Sequence, residues 1–238
     1  MTKQRLDQLL AVKGLVTSRS QAESWIKLGK VTVDGKVATK SGQFVNENAS
    51  LKVTAKERYV SRAGLKLASV AELLKVDFAK KLVLDVGSST GGFTDYALQH
   101  GAKKVIAVDV GTHQMHPSLR RDGRIELHEK TDIRDFVVVK KIDIVVIDVS
   151  FISLREILPS VARIAPNAQI VAMVKPQFEA GRDQVNKGVI KNDSIRRQIL
   201  RDFETWSKSL FAIVDKRDSE VAGGKGNRER FYLLKTIA

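Results

Sequence analysis

The order of apolar runs along this chain predicts an α/β fold, in which a mostly parallel sheet covered on both faces follows a small α+β module. Three observations carry the prediction. From Leu82 onward short apolar runs recur at Leu82–Val86, Val105–Val110, Ile144–Val149, Ile170–Val174, Phe211–Val214 and Phe231–Leu234, with helical stretches between most of them. In VLDVGSSTGGFTDYAL, Val83 to Leu98, the first run passes through an acidic tip and a glycine-rich turn into a new amphipathic segment, the strand-to-helix unit of parallel sheets. Before residue 58, by contrast, apolar spacing changes from helical to alternating within a short span.

At the amino end, Leu6, Leu9 and Leu10 share one face of a first helix. Ser18 and Gln21 form a capping box that opens a second, with Ala22, Trp25 and Ile26 on one face and Gly29 at its end. In VTVDGKVA two alternating runs flank Asp34-Gly35, a pair that supplies the positive φ angles of a tight hairpin turn. The stretch from Lys52 to Arg58 is charged and poor in packing residues, which sets a boundary between residues 1–58 and 59–238.

The 238 residues are 43% hydrophobic, enough for a core, and 41 Lys and Arg stand against 27 Asp and Glu, a formal net charge of +14. Such a field attracts polyanions, nucleic acid first and an anionic membrane surface second. Residues 1–58 hold eight Lys and three Arg against five Asp and Glu. Arg5, Arg19, Lys27 and Lys30 fall on or beside the polar helix faces, a candidate phosphate-binding face. The chain has no cysteine, which excludes disulfides, thiolate nucleophiles and cysteine-built zinc sites. No run resembles a secretory core or a membrane span, so a cytoplasmic location is expected.

Ligands of parallel α/β sheets sit at the carboxyl ends of the strands. There Gly87, Gly91 and Gly92 frame Ser88, Ser89 and Thr90, and Phe93 follows. Their spacing departs from the G-x-G-x-x-G of hydride-transferring dinucleotide enzymes. Asp85, Asp109 and Asp132 stand at or just after strand ends, with Asp109 placed to accept hydrogen bonds from ribose hydroxyls. Three acids beside a glycine turn suit an adenosine without pyrophosphate, because they repel a dinucleotide and tolerate a cationic sulfonium. Lys175 follows IVAMV and precedes Pro176, a strand end that isolates a charge. His113 and His116 have H-x-x-H spacing but no acidic third ligand close by, so no metal is expected.

Two resemblances sharpen these readings. RLDQLLAVKGLVTSRSQAESWIKLGKVTVDGK resembles the S4 RNA-binding domain, which implies RNA contact through the first two helices and the loop after them. YVSRAGLKL, DVGSSTGGFTD, VDVG, DVSFISL, VKPQFEAG and GGKGNRE resemble, in the same order, the signature segments of the TlyA-type family, ribosomal RNA 2′-O-methyltransferases related to the FtsJ-like enzymes. That resemblance implies a Rossmann-like class I methyltransferase with a seven-stranded, mostly parallel sheet and an antiparallel last strand. It also implies S-adenosyl-L-methionine as cofactor, ribosomal RNA or ribosomal subunits as partner, and cytidine as the modified nucleoside.

By motif, the resemblance implies a catalytic set of Lys66, Asp148, Lys175 and Glu229, with Asp148 also facing the cofactor and Gln114 or His116 beside the adenosine. Desolvation and the Lys66 charge would lower the Lys175 pKa, whereas Asp148 and Glu229 would oppose that shift. At this level Lys175 is either a general base or a positioner of the ribose oxygen. Each residue has a plainer reading too: Lys66 on a helix surface, Asp148 capping a helix near Ser153, Glu229 paired with Arg228 or Arg230, and Phe93 and Phe178 in the core. Base methylation is the nearest rival activity, but a carbon-five enzyme needs a cysteine nucleophile and an amino-methylating one usually has a Pro-Pro-aromatic strand end where this chain has KPQF. A noncatalytic RNA-binding assembly factor is the other class; a haemolysin role has no spanning segment behind it.

Overall fold

A computed structural model describes residues 2–16, 19–27, 29–54, 59–181, 188–190, 192–221, 223 and 226–237. The chain divides into two compact units, Met1–Arg58 and Tyr59–Ala238.

In the first unit β1 (Lys3–Arg5), α1 (Leu6–Val12) and α2 (Arg19–Lys27) precede β2 (Val31–Val33), β3 (Lys36–Val37), β4 (Phe44–Asn46) and β5 (Leu51–Val53). The helical spacing delivers its core, where Leu6, Leu9 and Leu10 pack with Ala22, Ile26 and Val31. Asp34 (φ 49°) and Gly35 (φ 80°) turn β2 into β3. Strands β3, β2 and β5 form one antiparallel sheet, and β1 pairs with β4 in a second. Strands β1, β4 and β5 are too short to show an alternating signal. Lys52, which composition assigns to the linker, instead pairs with Thr32 inside the sheet. Ser18 of the capping box and linker residues 55–58 lie outside the described residues.

Asp7 organises this unit's charge. Fully buried, it accepts hydrogen bonds from Arg5 Nε and Nη2 at 3.0 and 2.9 Å, from Arg19 Nη2 at 3.1 Å and from the Gln8 amide at 2.9 Å. The Arg5 hydrogen bonds, helped by Arg19 and opposed by burial, hold its pKa down at about 2. A carboxyl depressed on folding stabilises above its ordinary range, and that contribution is lost as pH falls toward 2. With both arginines well exposed to screening solvent, Asp7→Asn is expected to cost about 1–2 kcal/mol at neutral pH. Acid unfolding of the variant should show a shallower loss between pH 4 and 2 (roughly the two pKa values).

The second unit contains α3 (Arg62–Ala71), β6 (Leu82–Val86), α4 (Gly92–Gln99), β7 (Lys104–Val108), α5 (Pro117–Arg120), β8 (Ile125–His128), β9 (Ile144–Ile147), α6 (Leu154–Ile164), β10 (Gln169–Val174), α7 (Pro176–Glu179), α8 (Asp193–Ser207), β11 (Phe211–Asp218) and β12 (Arg230–Thr236). Its seven-stranded sheet has the order β11-β12-β10-β9-β6-β7-β8. The five strands from β10 to β8 are parallel, and β12 runs antiparallel between β10 and β11.

Successive residues of each strand face opposite cores. Leu84, Val86, Ile106, Val108, Val145 and Ile147 pack with Leu158 of α6 and Phe203 of α8. Val83, Val105, Ala107, Ile144 and Val146 pack with Leu67 of α3 and Ala97 of α4. A sheet buried on both sides has no polar face to alternate with, which is why its strands read as unbroken apolar runs. From β6 the chain proceeds to β7 and β8 on one side and then crosses to β9 and β10 on the other. The carboxyl end of β6 is therefore a topological switch point, where such sheets leave a crevice. Among the described residues no helix is long and apolar enough to cross a membrane.

Candidate active site

That crevice is a cleft of about 500 Å³, walled in part by Gly87, Ser89, Asp109, Asp132, Asp148 and Phe151. A recess of about 130 Å³ shares Gly87, Ser89, Asp148 and Ser150 with it and extends to Asp85, Ser88, Thr90, Phe93 and Lys175. The glycine turn shapes both. Gly87 has φ 79°, and a Cβ there would lie 2.9 Å from the Asp148 carbonyl oxygen; glycine lets the ends of β6 and β9 converge. Gly91 and Gly92 are not among the cleft walls. A Cβ on Gly92 would lie 2.8 Å from the Gly64 amide nitrogen, so this glycine lets α3 settle on α4, and Gly91 similarly admits Leu119.

Asp85 is fully buried, and its Oδ2 accepts a 2.6 Å hydrogen bond from Thr94 Oγ1. Burial, helped by the Asp148 and Asp109 charges and opposed by that hydrogen bond, pushes its pKa up to about 7. Asp85 Oδ1 and Ser88 Oγ are buried and have no hydrogen-bond partner among the described residues. Two such groups on one recess call for a polar ligand.

Asp109 lies just beyond β7, where its Oδ2 accepts from the Ser89 amide at 2.8 Å and its Oδ1 from the Gly111 amide at 2.6 Å. Each oxygen retains a lone pair for a further donor. Asp132 is a cleft wall but not a free acid: Arg134 Nη2 lies 2.7 Å from its Oδ2 and holds its carboxyl below the usual range. Gln114, which accepts from Ser89 Oγ at 2.8 Å, lines the cleft. His116 instead caps α5 by accepting from the Ser118 amide, and the His113 amide donates to Glu129.

The two lysines each meet a carboxylate. Lys66 of α3 places Nζ 2.5 Å from Glu229 Oε2, and Lys175, the residue before α7, places Nζ 2.6 Å from Asp148 Oδ1 while donating to Ser150 Oγ at 2.7 Å. Lys66, Lys175 and Glu229 are only 8%, 9% and 3% exposed. Register explains the convergence. Val174 of β10 pairs with Arg230 of β12, so Lys175 and Glu229, one residue further along, leave the sheet at the same edge. Asp148 leaves it from the end of β9, the other neighbour of β10. Ala63, one turn before Lys66, shares the recess with Asp148 and Lys175. The plainer pairings do not form, since Ser153 caps α6 itself and Arg228 and Arg230 pair with Asp218. Buried ion pairs are a poor way to stabilise a fold, and of these two Lys175–Asp148 lines the recess, while Lys66–Glu229 is buried beyond its walls.

Three neighbours carry no sequence signal that singles them out. Phe151 is 91% exposed with φ 66°, and its ring centroid is 5.3 Å from that of Phe178. Bulky residues rarely adopt that backbone, and exposed Phe151 with half-buried Phe178 differs from Phe93, which is buried against Phe231. Ser150 orients Lys175. Glu179, raised in pKa by burial, accepts from Ser153 Oγ at 2.5 Å and from the Leu154 amide at 2.7 Å, tying α7 to the loop that bears Asp148 and Phe151. In the first unit Arg5 and Arg19 are fixed by Asp7 and Lys30 is exposed, whereas the side chain of Lys27 lies outside the described residues.

Residues 59–236 match the FtsJ-like methyltransferase family and residues 4–51 match the S4 domain. The 16S/23S rRNA (cytidine-2′-O)-methyltransferase TlyA of Mycobacterium tuberculosis is 39% identical, covering 98% of this chain and 90% of its own length. Hemolysin A of Brachyspira hyodysenteriae is 38% identical, covering 98% and 99%. Among solved structures, a hemolysin-labelled protein of Streptococcus thermophilus superposes with a TM-score of 0.77 at 38% identity, covering 100% of this chain and 90% of that one. The chain therefore belongs to the TlyA and hemolysin A-like family, FtsJ-like methyltransferases that carry an amino-terminal S4 domain.

Proposed function

We propose that this protein transfers a methyl group from S-adenosyl-L-methionine to a ribose 2′-hydroxyl of ribosomal RNA, with cytidine as the modified nucleoside. The observation that carries the proposal is the buried Lys175–Asp148 contact on the recess of the glycine cleft, with the buried Lys66–Glu229 pair at the same strand edge as Lys175. The cytidine assignment rests on the M. tuberculosis relative. The first unit, with its S4 match and its surplus of basic residues, would dock the RNA.

The cleft suits this donor. Unpaired Asp85 Oδ1 and Ser88 Oγ, with Gly87, Ser89, Thr90 and Phe93, would receive its polar methionine end, and Asp109 and Asp132 its adenosine. When bound, S-adenosylmethionine supplies an electrophilic methyl on a cationic sulfur. Lys175, anchored by Asp148 and Ser150, would hold the ribose oxygen in line and stabilise the negative charge that grows as its proton passes to solvent water. Lys66 and Glu229 would complete the wall and fix that geometry.

Asp85 provides a test independent of turnover. A carboxyl with its pKa near 7 is about half protonated at neutral pH. A cationic ligand beside it favours the carboxylate, so binding is expected to release up to about half a proton and to tighten as pH rises from 6 to 8 (roughly one unit either side of that pKa). Calorimetry in buffers of different ionisation enthalpy reads this directly, and Asp85→Asn should remove it. Identical heats in all buffers would reject the cationic ligand at this recess.

Phe151 and Phe178 offer a stacking surface at the cleft mouth. Phe151→Ala is expected to raise KM for RNA by about tenfold, the loss of one base stack, with cofactor affinity and melting temperature unchanged. An unaltered KM would remove Phe151 from RNA contact. The proposal as a whole is tested by incubating the full chain with isolated ribosomal subunits and labelled S-adenosylmethionine; failure to label any subunit RNA at saturating donor rejects it.

A further inference from the structure

The starts of the parallel strands carry a concentration of lysines, most of which neither the fold nor the site above uses. Lys80 and Lys81 lead into β6, Lys103 and Lys104 into β7, and Lys140 and Lys141 precede β9. These three strands are neighbours, so the lysine pairs share the amino-terminal edge of the sheet, opposite the cleft. Backbone bonds fix them there: the Lys81 carbonyl accepts from the Lys103 amide at 2.8 Å, the Gly101 carbonyl from the Lys80 amide at 2.8 Å, and the Leu82 carbonyl from the Asp143 amide at 3.0 Å.

Acids on this edge are engaged locally. Glu126 pairs with Lys104 and Lys140 at 2.7 and 2.9 Å, Asp143 accepts from the Leu82 amide at 2.9 Å, and Asp77 accepts from the Ala79 amide at 2.9 Å. Lys75, Lys80, Lys81, Lys103 and Lys141 have no ion pair among the described residues. Lys75, Lys81 and Lys141 line one depression of about 380 Å³ together with Asp77 and Asp143, so cations outnumber acids there. Two of the five also occupy backbone positions that favour other residues. Lys75 (φ 53°) ends the turn after α3, where its amide and that of Val76 bond the carbonyls of Glu72 and Ala71, a place usually given to glycine. Lys80 has φ 61°, again a conformation that disfavours a side-chain carbon. The fold does not ask for lysine at either position, so the cation is the feature to explain.

We propose that this edge is a second RNA-backbone contact, made by the methyltransferase unit on the side away from methyl transfer. It rests on the reading of the chain as an RNA enzyme. Five unpaired ammonium groups on a rigid edge complement phosphates, which are bound through charge and without sequence readout. A protein partner fits less well, because a protein interface has an apolar centre and Ile142 and Ile144, the apolar residues of the depression, are buried.

The Lys75→Gly/Lys80→Gly variant of the full chain removes two cations where glycine suits the backbone, so its melting temperature is expected to be unchanged or higher. Its affinity for ribosomal subunits should fall, and the slope of log affinity against log salt should become shallower by about one for each phosphate that is no longer neutralised, about two in all. S-adenosylmethionine affinity and kcat at saturating RNA should match the parent. Lys81→Ala/Lys141→Ala should act the same way, and Lys81→Arg/Lys141→Arg should retain the parent slope. Parental affinity and slope in both cation-removing variants overturn the proposal. So does a weakening seen with intact subunits and not with protein-free ribosomal RNA, which would assign the edge to a ribosomal protein. A parent chain that methylates no RNA refutes the enzymatic reading and leaves the salt-slope comparison intact.

Discussion

Lys175→Ala is expected to lower kcat for methyl transfer by on the order of a thousandfold while S-adenosylmethionine binds within a few-fold of the parent affinity. The separation follows from position. Lys175 lies at the end of β10 with Nζ committed to Asp148 and Ser150, whereas the cleft walls proposed to hold the cofactor come mainly from the segments after β6, β7 and β8. Removing the ammonium takes away the group proposed to orient and stabilise the ribose oxygen and leaves those walls in place. The test pairs labelled-methyl incorporation with calorimetry on one preparation. Loss of both would make Lys175 a cofactor or folding residue, and retained turnover would exclude it from the reaction.

Glu229→Ala is expected to be the most destabilising single change at the site. Lys66 is only 8% exposed and its ammonium lies 2.5 Å from Glu229. Deleting the carboxylate leaves a buried charge without its counter-ion, a loss of about 3–5 kcal/mol, or roughly 10 °C in the melting temperature of a unit this size. Replacing both partners, Lys66→Met/Glu229→Leu, removes the desolvation problem together with the charge and should restore much of the stability. Methyl transfer should stay absent from the double variant. A stable double variant with parental activity would show that the pair serves packing alone. A Glu229→Ala protein as stable as the parent would show that Lys66 finds solvent or another partner.

Much of this architecture is legible in the chain because the physical demands are local. Asp34-Gly35 supplies left-handed angles to a two-residue turn, and the apolar runs ending at Val86 and Val174 can only be strands buried on both faces. Strand β8 is harder, since Ile125–His128 sits at an edge amid charged residues and its burial is partial. The candidate site divides the same way. The isolation of Lys175 by IVAMV and Pro176 is a sequence property, but its partner is set by the β9–β10 pairing. Glu229 looks like a surface residue among arginines until the β10–β12 register puts it at the strand edge beside Lys175, where Lys66 of α3 meets it. Asp132 illustrates the reverse: it looks like a free acid, and Arg134, two residues on, neutralises it. Phe151 cannot be told from a core aromatic by any spacing rule, because its exposure and positive φ are products of the loop that Glu179 ties down.

The chemical position of the transferred methyl is the most direct test of the whole assignment. Ribosomal subunits treated with the full chain and S-adenosylmethionine should be hydrolysed with alkali, and the resistant fragments analysed by mass spectrometry. A 2′-O-methylcytidine in an alkali-resistant dinucleotide, absent after treatment with the Lys175→Ala protein, is the expected result. A methyl group on a base above an unmodified ribose would contradict the placement of Lys175 against a sugar oxygen.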